Sequence, residues 1–377
     1  MVFALSMQTG QYAAMAENIA RMGAGHLQIQ TPEYLDNPDL ERTIPGASAL
    51  ISRIRALPSV NAALPRAATF ALVSSGERTA GAQIVAVDPQ AEAQAMILPQ
   101  QIAAGGRYLR DINSDETVIG AALAINLGIG IGDQMVILGT GLEGSVATTS
   151  LTVVGLIDSG VAELDRGLVH VPMNTFRDAF ELGDACNSIV LMADNQANTT
   201  ELATEIGSIL PAGLSLRNWD DVRPELSSLM EVKRLGGYFF FVLLGTMVTF
   251  SIVNTFVMTV FERTREFGML MAVGLTPGRL QWMLQLESVL LCGAGVLAGA
   301  LISVALVLYL AKAGIPVPAS AGSVMRQFQM PSRLYPSFDL AGLLWPSVLM
   351  FVATQAAAFL PGMHIRRLHP VEALRAT

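Results

Sequence analysis

The chain has 377 residues, which is enough for two or three domains. Its composition is 52% hydrophobic and only 14% charged, whereas a soluble globular domain carries about 25% charged residues. This composition excludes an ordinary soluble protein. The net charge of −8 is unevenly distributed, because residues 1–236 carry 26 acidic and 14 basic side chains and residues 237–377 carry 5 and 9. Neither part has the concentrated basic charge of a nucleic-acid-binding face, so no nucleic acid is expected as a partner.

An α+β domain is predicted for residues 21–230, after a helix near the N-terminus. Tyr12, Met15, Ile19 and Met22 recur at helical spacing. The alternation in His26–Gln30 then indicates a strand. Further predicted elements are a helix at Ser48–Leu57 with Ser48 as N-cap, strands at Ala68–Val73, Gln134–Leu138, Ser150–Ile157 and Leu168–Val171, and a helix from Pro172.

Two glycine patterns in this domain resemble ligand-binding motifs. Gly139, Gly141 and Gly144 match the GxGxxG spacing, and Asp158 follows. A dinucleotide site requires that a helix open at these glycines, because the helix N-terminus holds the pyrophosphate. The residues that follow are rich in β-branched side chains, so we predict a hairpin loop instead. The glycines at 128, 130 and 132 precede a strand and predict a turn.

No catalytic, metal or cofactor site is predicted. The histidines in the domain, His26 and His170, lie in separate strands, where a structural hydrogen-bonding role is expected. The two cysteines are far apart, which excludes a close-spaced zinc site. Lys233 and Lys312 are the only lysines, and neither ends a GxxxxGK[ST] phosphate loop. The chain is therefore predicted not to be an enzyme, and any ATP hydrolysis belongs to another chain.

Three membrane spans are predicted in the last third of the chain. A helical stalk at Glu225–Arg234 leads into the first of them. The segments Leu235–Phe261, Ser288–Ala311 and Leu340–Ile365 contain no charged residue, and about 20 apolar residues suffice to cross a bilayer as a helix. We predict transmembrane helices at about 237–261, 288–311 and 340–361, within an α-helical membrane domain at 231–377.

The basic residues set the predicted orientation. Arg366, Arg367 and Arg375 lie close to the last span, and basic residues near span ends favour the cytoplasm. With that tail inside, the 262–283 loop is cytoplasmic, and the 312–339 loop and the large domain are outside. The chain is thus predicted to cross a membrane several times, with the large domain on the outer side.

The segment between the first two spans has an unusual pattern. Glu262, Arg263, Arg265 and Glu266 form a charged collar, and Gly268–Val273 is apolar again, as in a segment that lies at the membrane boundary or on a partner. Gly274 can end this helix. Thr276 and Pro277 can start the next as N-cap and first helical residue. The alternative interpretation is a plain connecting loop.

This segment resembles the signature of the FtsX-like ABC permeases, which include the lipoprotein-releasing (Lol-type) and macrolide-efflux (MacB) permeases. The residues that carry the resemblance are ERTREFGMLMAVGLTPGRL from Glu262 and the closing PGMHIRRLHPVEALRAT. GHLQIQ and VVGLIDSG are similar to the family's MacB-like periplasmic core domain. The resemblance covers nearly the whole chain, and GHLQIQ favours the Lol-type branch.

The resemblance implies a pair of permeases, either two copies or two paralogues, and a separate ABC ATPase subunit that binds ATP, so the chain itself holds no cofactor. It implies a location in the bacterial inner membrane, with several spans and the large domain in the periplasm. It also implies that ATP-driven closure moves the periplasmic domains by mechanotransmission. It also implies that the coupling segment at 262–283 contacts the ATPase through Glu262, Arg263, Arg265, Glu266, Gly268, Met269, Ala272 and Gly274.

The start of the chain differs from the family pattern, in which a first span precedes the outer domain. Only Met1–Met7 corresponds to that span, about 10 Å of helix against a core of about 30 Å. Residues 1–20 are interpreted as the remnant of the first transmembrane helix and its stalk. We expect about 15 more apolar residues upstream, so that the start was assigned too late or the chain is a fragment.

Several functions remain open at this point. The preferred one is release or export of lipoproteins or other lipid-linked cargo. The alternatives are an efflux permease of the MacB type, a non-transporting regulator of a cell-wall hydrolase, and a membrane-anchored binding protein without an ATPase.

Overall fold

A computed structural model describes residues 1–194, 198–316, 333–338 and 340–365. The chain divides into two units, one of residues 13–228 and the other of residues 1–12, 229–316 and those from Arg333 onward. The basic C-terminal tail, which set the predicted orientation and carries part of the family resemblance, lies outside the described residues.

The N-terminal helix α1 extends from Val2 to Ile19 and continues into a π-helical turn at Ala20–Ala24. The helix predicted from Tyr12 is therefore confirmed, and it begins ten residues earlier, at Val2. In the unit that contains residues 1–12 and 229–316, α1 approaches a later helix at Gly237 so closely that a Cβ there would lie 2.1 Å from Gln8 Nε2. A side chain at 237 would therefore displace the end of the Gln8 side chain, whose Nε2 donates hydrogen bonds to the Tyr12 hydroxyl and the Arg234 carbonyl.

The unit of residues 13–228 is an α+β domain. Its strands are β1 (Leu27–Gln30), β2 (Ile44–Pro45), β3 (Val60–Ser75), β4 (Arg78–Val87), β5 (Glu116–Gly120), β6 (Gln134–Thr140), β7 (Val146–Ile157), β8 (Leu168–Pro172), β9 (Ala185–Cys186), β10 (Ser188–Ala193) and β11 (Ser215–Asn218). Its helices are α2 (Ala47–Arg55), α3 (Pro89–Ala95), α4 (Ala121–Leu127), α5 (Ala162–Gly167), α6 (Met173–Phe180), α7 (Thr199–Ile209) and α8 (Trp219–Val222).

One long strand, β3, contributes to the two largest hydrophobic cores of this domain. The main sheet has nine strands in the order β11-β1-β10-β3-β4-β8-β5-β7-β6, and β3 also pairs with β6. The second half of β3 thereby closes a barrel with β4, β8, β5, β7 and β6, filled by side chains such as Ile84 and Met135. The first half of β3 pairs with β10, where Leu27, Ile189 and Ile54 form a separate core beneath α2 and α7. The two halves of β3 have different partner strands, so Ala63 belongs to the core beneath α2 and α7, whereas Ala71 and Val73 belong to the barrel core.

Most of the predicted elements are confirmed, and the glycine loop is a hairpin. β6 and β7 are antiparallel, with Leu138 opposite Thr148, and no helix opens at the glycines. Ser48 is not an N-cap, contrary to the prediction. The helix begins at Ala47, after Gly46 in the left-handed conformation (φ 63°), and Ser48 Oγ donates a hydrogen bond to Asp184 Oδ1 at 2.5 Å.

Both histidines have structural hydrogen bonds. The backbone N–H of Ala193 donates to His26 Nδ1, which leaves the His26 Nε2 proton to bond Glu17 at 2.9 Å. His170 Nδ1 lies 2.8 Å from the Tyr108 hydroxyl. Burial lowers the pKa of His170 to about 3, because the interior disfavours the charged ring. His170 therefore stays neutral at physiological pH.

A buried ion pair supports the junction of the two cores. Glu92 is 1% exposed and accepts a hydrogen bond from Arg66, whose Nη1 also donates to the Gly23 carbonyl at 2.6 Å. Burial raises the pKa of Glu92, and the Arg66 guanidinium counteracts that effect. Removal of one partner leaves a charge without compensation in the interior.

Glu92→Gln is expected to lower the free energy of unfolding of this domain by about 3 kcal/mol, because it leaves the positive charge of Arg66 without its negatively charged partner. Chemical denaturation of the full chain in mild detergent, followed by Trp219 fluorescence after Trp282 and Trp345 are replaced by Phe, measures the change. The exposed pair Arg42–Glu33 supplies the control. Glu33→Gln should cost about 0.5 kcal/mol or less, and equal costs for both variants would contradict the expectation.

The other unit consists mainly of long helices. They are α9 (Pro224–Glu262), α10 (Thr264–Ala272), α11 (Pro277–Ala313) and α12 (Leu340–Ile365), and β12 (Ile315–Pro316) pairs with β13 (Arg333–Leu334). Among the described residues, α9, α11 and α12 are long and apolar enough to cross a membrane. The three predicted spans are thus confirmed as helices, and the predicted stalk is the start of α9. Their outward side chains, such as Phe239 and Leu290, are apolar and exposed, as contact with lipid requires.

Candidate functional site

The predicted coupling segment forms a helical corner between two spans. α9 ends at Glu262, the short helix α10 covers Thr264–Ala272, and α11 begins at Pro277. Thr276 is extended and directly precedes the proline, as predicted, although its side chain makes no capping bond. The segment is therefore a folded element rather than a loose loop.

The inner face of α10 is fixed to both long helices by an apolar cluster. Phe267 is fully buried and Met271 is 8% exposed. They pack with Val260 from α9 and with Leu280 and Leu284 from α11. Burial of a side chain such as phenylalanine contributes about 1.5–3 kcal/mol, so this cluster holds α10 in one orientation relative to the two spans.

Arg263 joins three helices at the corner. Its Nε donates to Glu266 Oε2 of α10 at 3.0 Å, and its Nη1 donates to Glu287 Oε2 of α11 at 3.1 Å. The guanidinium carbon lies 5.5 Å from the centre of the Phe267 ring. The hydrogen bond to Glu266, more than any other contact, raises the pKa of Arg263. The side chain thus connects the end of α9 to both following helices.

Gly274 ends α10 in the left-handed region, with φ 108°. The N–H of Gly274 donates to the Met271 carbonyl at 3.0 Å, and the N–H of Leu275 donates to the Leu270 carbonyl at 3.1 Å. This pair of bonds is the Schellman arrangement, which satisfies the last carbonyls of a helix. The predicted helix end at Gly274 is confirmed.

The predicted contact residues fall into two groups. Six of them are exposed: Glu262, Arg265, Glu266, Met269, Ala272 and Gly274. Of the other two, Arg263 is half-buried in its ion pairs and Gly268 is buried. Val273 is 85% exposed and was not predicted. Phe267 and Glu287 were also missed as parts of the site. The spacing of four residues between Phe267 and Met271 could have indicated the inner face. The pairing of Arg263 with Glu287 spans 24 residues and gives no local signal.

The arrangement is suited to contact rather than to chemistry. No group of His, Cys, Asp or Glu side chains that could hold a metal ion occurs among the residues that the structure describes. The exposed face of α10 combines charges of both signs with Met269 and Val273, so it can offer a partner both ion pairs and apolar contact. The fold thus defines a multi-span membrane protein with a large α+β domain outside the bilayer.

Two family models together match most of the chain. The FtsX-like permease C-terminal domain matches residues 238–370, and the MacB-like periplasmic core domain matches residues 1–209. The chain belongs to the family of FtsX-like permeases with a MacB-like periplasmic core domain. It is accordingly an ABC transporter permease, without catalytic activity of its own, whose ATPase is a separate subunit.

The matches to two curated LolC relatives extend over both domains. The lipoprotein-releasing system transmembrane protein LolC of Xylella fastidiosa (strain 9a5c) is 23% identical over 329 residues, which cover 84% of this chain and 78% of the relative. LolC of Neisseria meningitidis serogroup B is 23% identical over 283 residues, covering 72% and 66%. An uncharacterized ABC transporter permease of Mycobacterium tuberculosis is 25% identical over 221 residues, covering 56% and 25%. Among solved structures, the periplasmic region of MacB from Actinobacillus actinomycetemcomitans has a TM-score of 0.39 and 14% identity, covering 56% of this chain and 97% of that structure.

We expect α10 to lie on the opposite side of the membrane from the periplasmic core domain, because α9 is long and apolar enough to cross the bilayer once between them. Cysteines introduced at Asn198 and at Thr276, in a chain whose Cys186 and Cys292 are replaced by Ala, test this topology. We expect an impermeant thiol reagent to label the Asn198 position in intact spheroplasts and to reach the Thr276 position only after lysis. Both positions are described by the structure, and Thr276 is exposed. Equal labelling of the two positions before lysis would contradict the topology.

Proposed function

We propose that this permease, paired with a second copy or a paralogue, couples ATP hydrolysis by its ATPase subunit to the release or export of lipoproteins. The observation that carries the proposal is the similarity to LolC proteins, which extends over 84% of this chain. The matched length includes parts of both the α+β domain and the membrane domain, so the similarity is not limited to the membrane domain, which contains the proposed contact for the ATPase. A lipoprotein or another lipid-linked molecule is the proposed cargo.

The composition of the spans supports a mechanism that moves the periplasmic domain. The runs at 237–261, 288–311 and 342–359 contain no Asp, Glu, Lys, Arg or His, whereas intramembrane charges mark ion and solute paths in many transporters. α9 is continuous from Pro224 to Glu262, which corresponds to about 58 Å of helix. A displacement imposed at its cytoplasmic end can therefore be carried along one rigid element.

The corner is the proposed contact for the ATPase subunit. The exposed side chains of α10, with Glu262 before it and Val273 after it, would be seated in a groove of that subunit. The buried cluster around Phe267 and the Arg263 ion pairs would transmit the motion, because they fix α10 to α9 and α11. In this mechanism Arg263 and Gly268 are positioning residues, and the exposed residues make the contact.

Reconstitution tests the cargo. The chain and its ATPase subunit are incorporated into proteoliposomes that contain a fluorescently labelled triacylated lipoprotein, and a soluble lipoprotein-binding acceptor is added outside. We expect ATP to transfer the label to the acceptor, and an ATPase subunit with its catalytic glutamate replaced by Gln to transfer none. Retention of the lipoprotein together with ATP-dependent movement of a macrolide would instead assign the chain to efflux. Binding of a cell-wall hydrolase without any transport would assign it to regulation.

A further inference from the structure

A cavity of about 810 Å³ lies between the first turns of α11 and the later part of α12. Its walls include the apolar side chains of Phe351, Val352 and Phe359. Its polar lining comes from Arg279, Gln281, Gln285 and Gln355, with Trp282 beside them. No acidic residue lines it among those that the structure describes. The cavity therefore joins an apolar wall to a set of polar groups that can carry only positive charge.

Two glutamine side chains at the cavity have buried amide nitrogens that donate no hydrogen bond to any described residue. Gln281 is 5% exposed, and its buried Nε2 has no hydrogen-bond partner among the described residues. Gln355 Nε2 is likewise buried without a partner, while Gln355 Oε1 already accepts a bond from Gln285 Nε2 at 2.7 Å. A buried polar group without a partner costs about 1–3 kcal/mol. A ligand that supplies acceptor oxygens would remove that cost.

The charge of the cavity favours an anionic ligand. Arg279 is exposed at the cavity and makes no ion pair within the described part of the chain. Thr276 and Gly278, at the N-terminus of the 37-residue helix α11, also line it. The N-terminal end of a helix carries a partial positive charge and unpaired N–H groups. Glu287, the nearest acid along α11, is paired with Arg263.

We propose that this cavity binds an anionic phospholipid of the cytoplasmic leaflet. The headgroup oxygens would accept hydrogen bonds from Gln281, Gln355 and Arg279, and an acyl chain would lie along Phe351 and Phe359. The depth of the cavity in the membrane is that of a phospholipid headgroup, because the cavity lies where α11 enters its charge-free run at Ser288. A phospholipid is the ligand that combines phosphate oxygens with a long apolar chain and reaches this position from the bilayer.

The lipid would be adjacent to the coupling corner. Leu280 is fully buried in the cluster beneath α10, and the next residue, Gln281, lines the cavity. Consecutive residues of one helix turn thus face the corner and the cavity. Occupancy of the cavity would stabilise the turn of α11 on which α10 packs. The lipid composition of the membrane would thus affect how firmly α10 is held at the corner. This inference does not depend on the cargo of the permease.

Fluorescence quenching by brominated lipids tests the proposal, because Trp282 lies at the cavity. Replacing Trp219 and Trp345 by Phe leaves Trp282 as the only tryptophan. The full chain is reconstituted in phosphatidylcholine vesicles with a small fraction of either dibrominated phosphatidylglycerol or dibrominated phosphatidylcholine. We expect an apparent affinity for the anionic lipid about tenfold higher, as one additional charged hydrogen bond would give. A matched chain that keeps only Trp345 should show no such preference.

Variants of the donors complete the test. Arg279→Gln combined with Gln281→Leu should abolish the preference at Trp282 and leave the quenching by brominated phosphatidylcholine unchanged. Unchanged gel-filtration behaviour in detergent confirms that the variant is folded. The proposal is overturned if both brominated lipids quench Trp282 equally, or if the preference persists in the double variant. It is also overturned if neither lipid quenches Trp282 while Trp345 responds, since protein would then occupy the cavity.

Discussion

Glu266→Lys is expected to weaken retention of the ATPase subunit by about thirtyfold. Glu266 is exposed on α10, and its carboxylate accepts a hydrogen bond from Arg263 Nε at 3.0 Å. A lysine would place like charges together at the corner and reverse the charge presented to the ATPase. Loss of a charge pair at an interface costs about 2 kcal/mol or more, which corresponds to about thirtyfold in affinity. Co-purification of the two subunits in mild detergent and cargo-stimulated ATP turnover measure the effect.

Two further variants distinguish loss of contact with the ATPase from loss of the ion pair that holds the corner together. Glu262→Lys makes the same reversal at an exposed residue that has no ion pair within the described part of the chain. We expect Glu262→Lys to reduce retention less than Glu266→Lys. Glu287→Gln leaves the exposed face of α10 intact but removes the negative charge that pairs Arg263 with α11. That variant should retain the ATPase and lose part of the coupling. Normal retention and turnover in all three variants would show that the corner is only a connector.

The membrane part of the fold could be predicted in nearly every respect from the sequence. Spans are recognisable because a charge-free run of about 20 residues has few other stable locations. The corner was also predicted, since Gly274 and the Thr276–Pro277 pair are local signals of a helix end and a helix start. The Arg263–Glu287 pair was not predicted. Its partners are brought together by the packing of Phe267 against Leu280, which depends on tertiary structure.

In the outer domain, local sequence patterns predicted the hairpin of adjacent strands but not the pairing of strands that are distant in the chain. The β6–β7 hairpin was predicted because its glycine loop and alternating strands are adjacent in the chain. The barrel closure by β3 and β6 and the pairing of β1 with β10 join distant residues, and no local pattern specifies them. Ser48 failed as an N-cap because Gly46 adopts a left-handed conformation and starts the helix earlier. The cavity beside α11 was not foreseen, since Gln281 and Gln355 are far apart in sequence.

Gly274→Val is expected to reduce cargo-stimulated ATP turnover by about tenfold or more. Gly274 has a φ of 108°, where a β-branched residue is strained, although a Cβ there would meet no other atom. The cost of about 1–2 kcal/mol therefore comes from the backbone. To avoid it, the chain would have to give up the bonds from Gly274 and Leu275 that end α10. The end of α10 would then no longer be fixed relative to α11, and motion of the ATPase would not reach α9.

Glycine in a different backbone setting supplies the control. Gly207 lies inside α7 of the outer domain, without a positive φ, and a Cβ there also meets open space. Gly207→Val should leave turnover unchanged, because valine is a better helix residue than glycine. Gly274→Asn should keep more activity than Gly274→Val, since asparagine tolerates left-handed conformations. Equal losses for the valine and asparagine variants would mean that side-chain size at the contact, rather than the backbone of the corner, limits coupling.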